Sequence, residues 1–144
     1  PVEDVLDNGI GDIFVARVAG NFENTDILGS MEFATAVAGA KLILVMGHED
    51  CGAVKAAIDG AELGNITPML QNISPAIDAL SDYDGDKTSA NADFVHLVTE
   101  KNVLMTMQDI RDRSEVLRNL EQTGDLKIVG ALYDMQTGSV EFFE

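Results

Sequence analysis

Leu42-Ile-Leu-Val-Met-Gly-His-Glu-Asp-Cys-Gly52 is the stretch of sequence that decides the fold. Residues 42–46 are apolar at every position, which is typical of a strand buried on both faces of a parallel sheet. Residues 51–58, Cys-Gly-Ala-Val-Lys-Ala-Ala-Ile, predict a helix that begins at the end of this stretch. A buried strand followed at once by a helix is the unit from which α/β domains are built.

Three other stretches predict strands. Residues 12–18 are short, apolar and rich in β-branched side chains, and they predict a buried strand. Residues 126–133 predict another, and the turn Gln136-Thr-Gly138 leads from it into a final strand at residues 139–143. Because that connection is short, we expect the final strand to pair antiparallel with its predecessor.

Helices between the strands are predicted from apolar periodicity and from capping residues, and Pro75 must interrupt the helix in which it lies. The predicted N-caps are Ser30, Thr67, Asn91 and Ser114. The resulting order β-α-β-α-α-α-β-β predicts a single α/β domain over residues 1–144. Its sheet is expected to be mainly parallel and flanked by helices, with the last strand antiparallel.

The composition excludes several classes of function. The chain has 144 residues, with 25 acidic against 9 basic side chains, which gives a formal net charge of −16. Such a surface repels phosphate backbones and anionic lipids, so neither nucleic acid nor a membrane is expected as a partner. The acidity has two open explanations: a solvated surface that needs no partner, or adaptation to a saline habitat.

His48 and Cys51 are the candidate metal ligands. They lie three residues apart after a predicted strand, at the sheet edge where open parallel sheets bind ligands. An imidazole nitrogen and a thiolate suit zinc, at about 2.0 and 2.3 Å, and the flanking Gly47 and Gly52 permit tight turns. The spacing alone leaves other roles open, because the one cysteine of the chain could equally be a buried core thiol or a nucleophile.

Three polar residues outside this loop have open roles. His96, on the predicted long helix, is either a structural or surface residue or a proton shuttle. Arg17, within the predicted strand at residues 12–18, is expected to pair with a carboxylate, and contact with substrate is the alternative. Asn21 is expected to fix a turn beside the site.

Several stretches, in the same order along the chain, resemble the β-class carbonic anhydrase family. They are Gly11-Asp-Ile-Phe-Val-Ala-Arg-Val-Ala-Gly-Asn21, Ser30-Met-Glu-Phe-Ala34, residues 42–52, Asn102-Val103 and residues 124–140. The resemblance covers essentially the whole chain. It implies the α/β fold of that family and a zinc-dependent lyase that interconverts carbon dioxide and bicarbonate.

The resemblance implies that His48 and Cys51 are two of the zinc ligands. Three further residues are expected to support the site: Gly47, Gly52 and Asn21. The family's other protein ligand is a cysteine in a C-x-D-S-R motif, whose Asp and Arg form a dyad that gates the zinc-bound water. The present sequence contains no such motif. We expect that motif, with the family's first strand and N-terminal helices, upstream of Pro1, and we expect the 144 residues alone to be inactive.

The resemblance also implies a homodimer or a dimer of dimers. Phe142 and Phe143 give separate support, because adjacent strand residues face opposite sides and one of the two needs cover from a helix or another subunit. Two alternative functions are open: an inactive family member or fragment that keeps only the oligomerising scaffold, or hydrolysis of another small molecule such as carbon disulfide. We expect the cytoplasm, where a lone cysteine stays reduced, and the periplasm or an organelle is the open alternative.

Overall fold

The computed structural model describes residues 1–143, which form a three-stranded sheet flanked by helices. The strands, in sheet order, are β1 (Leu42–His48), β2 (Lys127–Tyr133) and β3 (Val140–Phe143). β1 runs parallel to β2, with Leu42 opposite Lys127 and His48 opposite Tyr133. β3 runs antiparallel to β2. The predicted α/β class, with a parallel pair and an antiparallel last strand, is confirmed.

Seven α-helices surround this sheet within the described part of the chain. They are α1 (Val2–Val5), α2 (Thr25–Glu32), α3 (Gly52–Ile58), α4 (Ile66–Leu70), α5 (Ser74–Asp78), α6 (Ala92–Arg113) and α7 (Glu115–Gln122). A π-helical turn, Phe33–Val37, continues α2. Among residues 1–143, no helix combines the length and the apolar character that crossing a membrane requires.

Side-chain caps set the start of α6 and the break between α6 and α7. Asn91 Oδ1 accepts a hydrogen bond from the Phe94 N–H at 3.4 Å, and Ser114 Oγ accepts one from the Leu117 N–H at 3.2 Å. Both capping residues have the extended backbone that precedes a helix. Pro75 lies at the start of α5 and separates it from α4. The two predicted caps and the predicted interruption at Pro75 are confirmed.

Two predicted helix starts are wrong. α2 is capped by Asn24, and Ser30 lies inside the helix, where its Oγ–H donates to the Asp26 carbonyl at 2.8 Å. α4 begins one residue before Thr67, whose Oγ1 accepts a hydrogen bond from the Leu63 N–H at 2.9 Å. In both cases the hydroxyl bonds to nearby backbone from within the helix, an alternative to capping that Ser and Thr commonly adopt.

The predicted strand at residues 12–18 is wrong: this segment is irregular and lies outside the sheet that the described residues form. A strand is held by hydrogen bonds to a neighbouring strand, and within residues 1–143 β1 pairs with β2 alone. Phe14 and Val15 are therefore exposed, and the Phe14 ring packs edge-on against Phe33, with centroids 6.4 Å apart. Arg17 is exposed as well, and its predicted ion pair does not form within this part of the chain.

Two hydrophobic clusters form the core. The first packs the sheet against α6 and α7 and includes Ile43, Val45, Val103, Met107, Ile110 and Leu117. The second packs α3, α4 and α5 around the first half of α6 and includes Val54, Leu70, Ile73, Phe94 and Val98. Because α6 contributes to both clusters, it supports the end of β1 and the start of α3 together.

Candidate metal-binding site

The loop between β1 and α3 carries both candidate ligands. His48 is the last residue of β1, lies opposite Tyr133 of β2 and is exposed. Cys51 is the N-cap of α3 and is only 7% exposed. Because β1 and β2 are parallel, both strands end at this edge of the sheet, which is where ligands bind in open α/β sheets.

Gly47 lets the end of β1 lie close against α6. A Cβ atom at Gly47 would lie 2.9 Å from Val103 Cγ2 and 3.1 Å from Leu132 Cδ2. Both distances are shorter than ordinary carbon–carbon contacts, so any side chain here would push the strand end away from its neighbours. Gly47 therefore sets the position from which His48 leaves the sheet.

A hydrogen bond fixes the tautomer of the His48 ring. His48 Nδ1 lies 2.8 Å from the Glu49 carbonyl oxygen. A carbonyl oxygen only accepts hydrogen bonds, so the proton must be on Nδ1, and in the neutral ring Nε2 keeps its lone pair. Metal-bound histidines use the same arrangement, in which one ring nitrogen binds the ion and the other donates to a backbone carbonyl or a carboxylate.

Cys51 presents its thiol where α3 begins. Its side chain makes no capping hydrogen bond to the helix, and one side of it packs in the second core cluster. The adjoining Gly52 is exposed, and a Cβ atom there would meet nothing within 4 Å. The backbone next to the thiol is therefore open on its outer side.

Asp50 turns the loop between the two candidate ligands. Its φ of +59° lies in the left-handed region, which Asp enters more readily than most residues. The Lys55 ammonium pairs with the Asp50 carboxylate. This hydrogen bond and the charge of Lys55 hold the pKa of Asp50 below its usual value, with a smaller contribution from His48. Asp50 is thus ionised and engaged with α3.

Glu49 was not among the predicted site residues. Its N–H donates to the Tyr133 carbonyl at 2.9 Å, and its Oε1 lies 2.6 Å from Nδ1 of His96 on α6. Glu49 and His96 are 47 positions apart, and no local pattern signals a contact at that separation. A carboxylate next to a candidate ligand is the one feature of the sequence that draws attention to Glu49. The shuttle role of His96 stays a prediction.

Asn21 forms a turn that is bound to α6. Its φ is +51°, and its carbonyl accepts hydrogen bonds from Asn102 Nδ2 at 3.3 Å and Thr106 Oγ1 at 3.1 Å. Asn102 Nδ2 also donates to the Gly20 carbonyl at 2.7 Å. The Asn21 amide nitrogen is buried without a hydrogen-bond partner among the described residues. The predicted turn is therefore present, and the supporting role of Asn21 in a metal site stays a prediction.

The donor atoms of this loop fit zinc, but they make only part of a site. His48 and Cys51 offer one nitrogen and one sulfur, the donor types that zinc prefers, and the free Nε2 of His48 is in the correct tautomer. Residues 1–143 contain no group of three or more His, Cys, Asp or Glu side chains placed to hold a metal ion. The loop therefore offers two candidate ligands.

Comparison with known proteins defines the family. Residues 1–140 match the family model described as carbonic anhydrase, and the chain belongs to the β-class carbonic anhydrase family. Carbonic anhydrase 2 of Mycobacterium tuberculosis is 33% identical over 141 residues, which cover 94% of this chain and 65% of the relative. The carbonic anhydrase of Mycolicibacterium smegmatis is 34% identical, covering 96% and 66%. The chain thus spans just under two thirds of the length of these curated relatives.

Solved structures share the fold. The β-carbonic anhydrase CafA of Aspergillus fumigatus matches with a TM-score of 0.90 at 22% identity, covering 100% of this chain and 69% of that protein. A β-carbonic anhydrase of Sordaria macrospora, described as tetrameric, matches with a TM-score of 0.87 at 21% identity, covering 99% and 74%. The β-carbonic-anhydrase-like fold that the sequence predicts is confirmed.

Proposed function

We propose that the protein, with zinc bound, catalyses the reversible hydration of carbon dioxide to bicarbonate and a proton. One observation carries the proposal: His48 is held with Nε2 free, three residues before the Cys51 thiol, at the carboxyl edge of the parallel strands. The family match and the relatives that are named carbonic anhydrases support the reaction.

His48 Nε2 and Cys51 Sγ are the atoms that would hold the zinc ion. When bound, zinc acts as a Lewis acid that lowers the pKa of water to about 7 and so supplies a nucleophile at neutral pH. The Nδ1–H bond to the Glu49 carbonyl keeps the His48 ring from taking the tautomer that would block Nε2. The Asp50 carboxylate, between the two candidate ligands, pairs with Lys55 of α3.

In the family that the chain resembles, a C-x-D-S-R motif contains the third protein ligand and the Asp–Arg dyad. These 144 residues do not contain it. We therefore expect negligible hydration of carbon dioxide by the 144-residue chain alone, and zinc-dependent hydration by a polypeptide in which that motif precedes it. Reading the encoded sequence ahead of Pro1 for the motif is the first check.

A second candidate function is that of a non-catalytic family member which keeps the fold and its assembly. The observation that favours it is that residues 1–143 hold no group of three possible metal ligands. The two candidates differ in a stopped-flow assay with a pH indicator. If the protein is an enzyme, a polypeptide that includes the motif should show turnover that depends on zinc and is lost in Cys51→Ser. Absence of turnover by that polypeptide would favour the non-catalytic scaffold.

The proposal includes assembly into a homodimer or a dimer of dimers. The tetrameric description of the Sordaria macrospora relative supports it. So does β3, in which Phe143 packs against the first core cluster whereas Phe142 is 59% exposed. A second subunit would cover Phe142, which the fold of residues 1–143 leaves uncovered. We place the protein in the cytoplasm, where reducing conditions keep the Cys51 thiol free.

A further inference from the structure

Glu49 makes hydrogen bonds to three separate parts of the fold. Its N–H donates to the Tyr133 carbonyl at the end of β2, and its own carbonyl accepts the Nδ1–H of His48. Its carboxylate Oε1 lies 2.6 Å from Nδ1 of His96 on α6, so the His96 proton is on that nitrogen when the carboxylate is ionised. The residue between the two candidate ligands is thus tied to the sheet, to one ligand and to the long helix.

The bond between Glu49 and His96 is poorly placed to stabilise the fold. Their side chains are 33% and 42% exposed, and ion pairs at such exposure contribute little to the free energy of unfolding because water and salt screen them. The same bond adds a second restraint on Glu49, whose backbone is also held by its N–H bond to the Tyr133 carbonyl. That backbone supplies the carbonyl that sets the His48 tautomer. Loss of the Glu49–His96 bond should therefore change the geometry of the His48 ring more than it changes the free energy of unfolding.

We infer that Glu49 and His96 are positioning residues, which hold His48 in the orientation and tautomer that a metal ion needs. Neither side chain is proposed to touch zinc or substrate. The inference rests on the proposed zinc site, and it explains why His96, remote in sequence, contacts the ligand loop. Residues that orient a metal-bound histidine typically change metal affinity by about 10- to 100-fold when they are replaced.

Four single variants and one double variant separate positioning from a general effect on the fold. Glu49→Ala and His96→Ala remove the bond from either side, and the double variant tests whether the two side chains act together. Glu49→Gln keeps an acceptor oxygen that the His96 N–H can use. Glu100→Ala is the matched control, because Glu100 lies on α6 and its carboxylate has no hydrogen bond or ion pair within residues 1–143.

The first measurement needs no metal. Long-range ¹H–¹⁵N correlation spectra of the histidine rings in the zinc-free chain report which nitrogen carries the proton. We expect the Nδ1–H tautomer of His48 in the wild type, in Glu49→Gln and in Glu100→Ala. In Glu49→Ala and His96→Ala we expect a mixture with the Nε2–H tautomer. An unchanged His48 tautomer in both alanine variants would overturn the inference. If Glu49→Ala does not fold, His96→Ala decides, because the His96 side chain is the more exposed of the two.

The second measurement is a titration with Co²⁺ as the probe, followed by the absorption of the cobalt–thiolate bond of Cys51. We expect binding about tenfold weaker in Glu49→Ala and His96→Ala, no further loss in the double variant, and affinity close to the wild type in Glu49→Gln. Thermal midpoints should be unchanged. Wild-type affinity in the alanine variants, or additive losses in the double variant, would contradict the inference. If Cys51→Ser leaves the cobalt absorption unchanged, the proposed zinc site is contradicted. The tautomer measurement alone would then decide whether Glu49 and His96 position the His48 ring.

Discussion

Arg111 of α6 and Glu121 of α7 form a two-point ion pair, with Nε to Oε2 and Nη2 to Oε1 both at 2.7 Å. Arg111 Nη2 also donates to the Ile128 carbonyl at 3.3 Å, so the pair joins both helices to β2. Each side chain is 27% exposed, and the hydrogen bonds from Arg111 hold the pKa of Glu121 below its usual value. Such a bidentate, partly buried pair is the kind that contributes measurably to stability.

Replacing Glu121 by Gln should therefore destabilise the protein. The expected loss in the free energy of unfolding is about 1–2 kcal/mol at pH 7, since a charged acceptor of two hydrogen bonds becomes a neutral amide that can accept only one of them well. Urea unfolding measures it. Glu62→Gln, in an exposed loop, is the control and should change the free energy of unfolding by less than about 0.5 kcal/mol. Equal effects of the two changes would contradict the assignment.

The same pair predicts a dependence of stability on pH. Because the folded-state pKa of Glu121 is lower than its unfolded value of about 4.5, the stabilisation is complete above that value. It is lost as the pH falls through the lower, folded-state pKa. The difference in unfolding free energy between wild type and Glu121→Gln should thus stay constant from pH 7 to about 5 and shrink below about 4.5. A difference that grows on acidification would refute this origin.

Gly47→Ala should destabilise the protein and displace the ligand loop. The added methyl group would lie 2.9 Å from Val103 Cγ2, and overpacking of this kind costs about 1–3 kcal/mol. Gly52→Ala is the matched control, because its Cβ atom meets nothing within 4 Å. Thermal unfolding compares the two, and the amide chemical shifts of Glu49 and Asp50, which adjoin neither substitution, should move in the first variant alone. Similar midpoints for both variants would show that β1 does not need glycine here.

Association should tighten as salt rises. Two copies double a net charge of −16, and salt screens this repulsion over about 8 Å at physiological ionic strength. Light scattering at low micromolar protein is expected to show a dimer or a larger even oligomer. Phe142→Ser should weaken the association, whereas Met135→Ser, a change at a similarly exposed apolar residue, should not. A monomer mass at both low and high salt would rule the assembly out.

The features that could be predicted from sequence are those that depend on neighbouring residues. The apolar run in β1, the short turn before β3 and the caps at Asn91 and Ser114 each act over a few residues. The strand expected at residues 12–18 failed because a strand also needs a partner, which an apolar sequence does not reveal. Ser30 failed as a cap because Asn24, which also caps well, precedes it.

The candidate site likewise has some residues that the local sequence predicts and others that it does not. His48 and Cys51 could be found from their spacing after a strand, and the glycines on either side from the turns they permit. The contact between Glu49 and His96 joins positions 47 residues apart and depends on how α6 packs beneath the loop. Only the folded chain shows it, because the position of Glu49 next to His48 does not indicate which distant residue it contacts.

X-ray absorption at the zinc edge tests the central claim, that His48 and Cys51 hold the metal. The sample is the chain with protein in excess over zinc, compared with Cys51→Ser and His48→Ala. We predict one sulfur neighbour at about 2.3 Å and an imidazole nitrogen at about 2.0 Å. The sulfur should vanish in Cys51→Ser, and the imidazole signal should weaken in His48→Ala. A zinc ion surrounded only by oxygen and nitrogen in the wild type, with a spectrum that neither variant changes, would contradict the account.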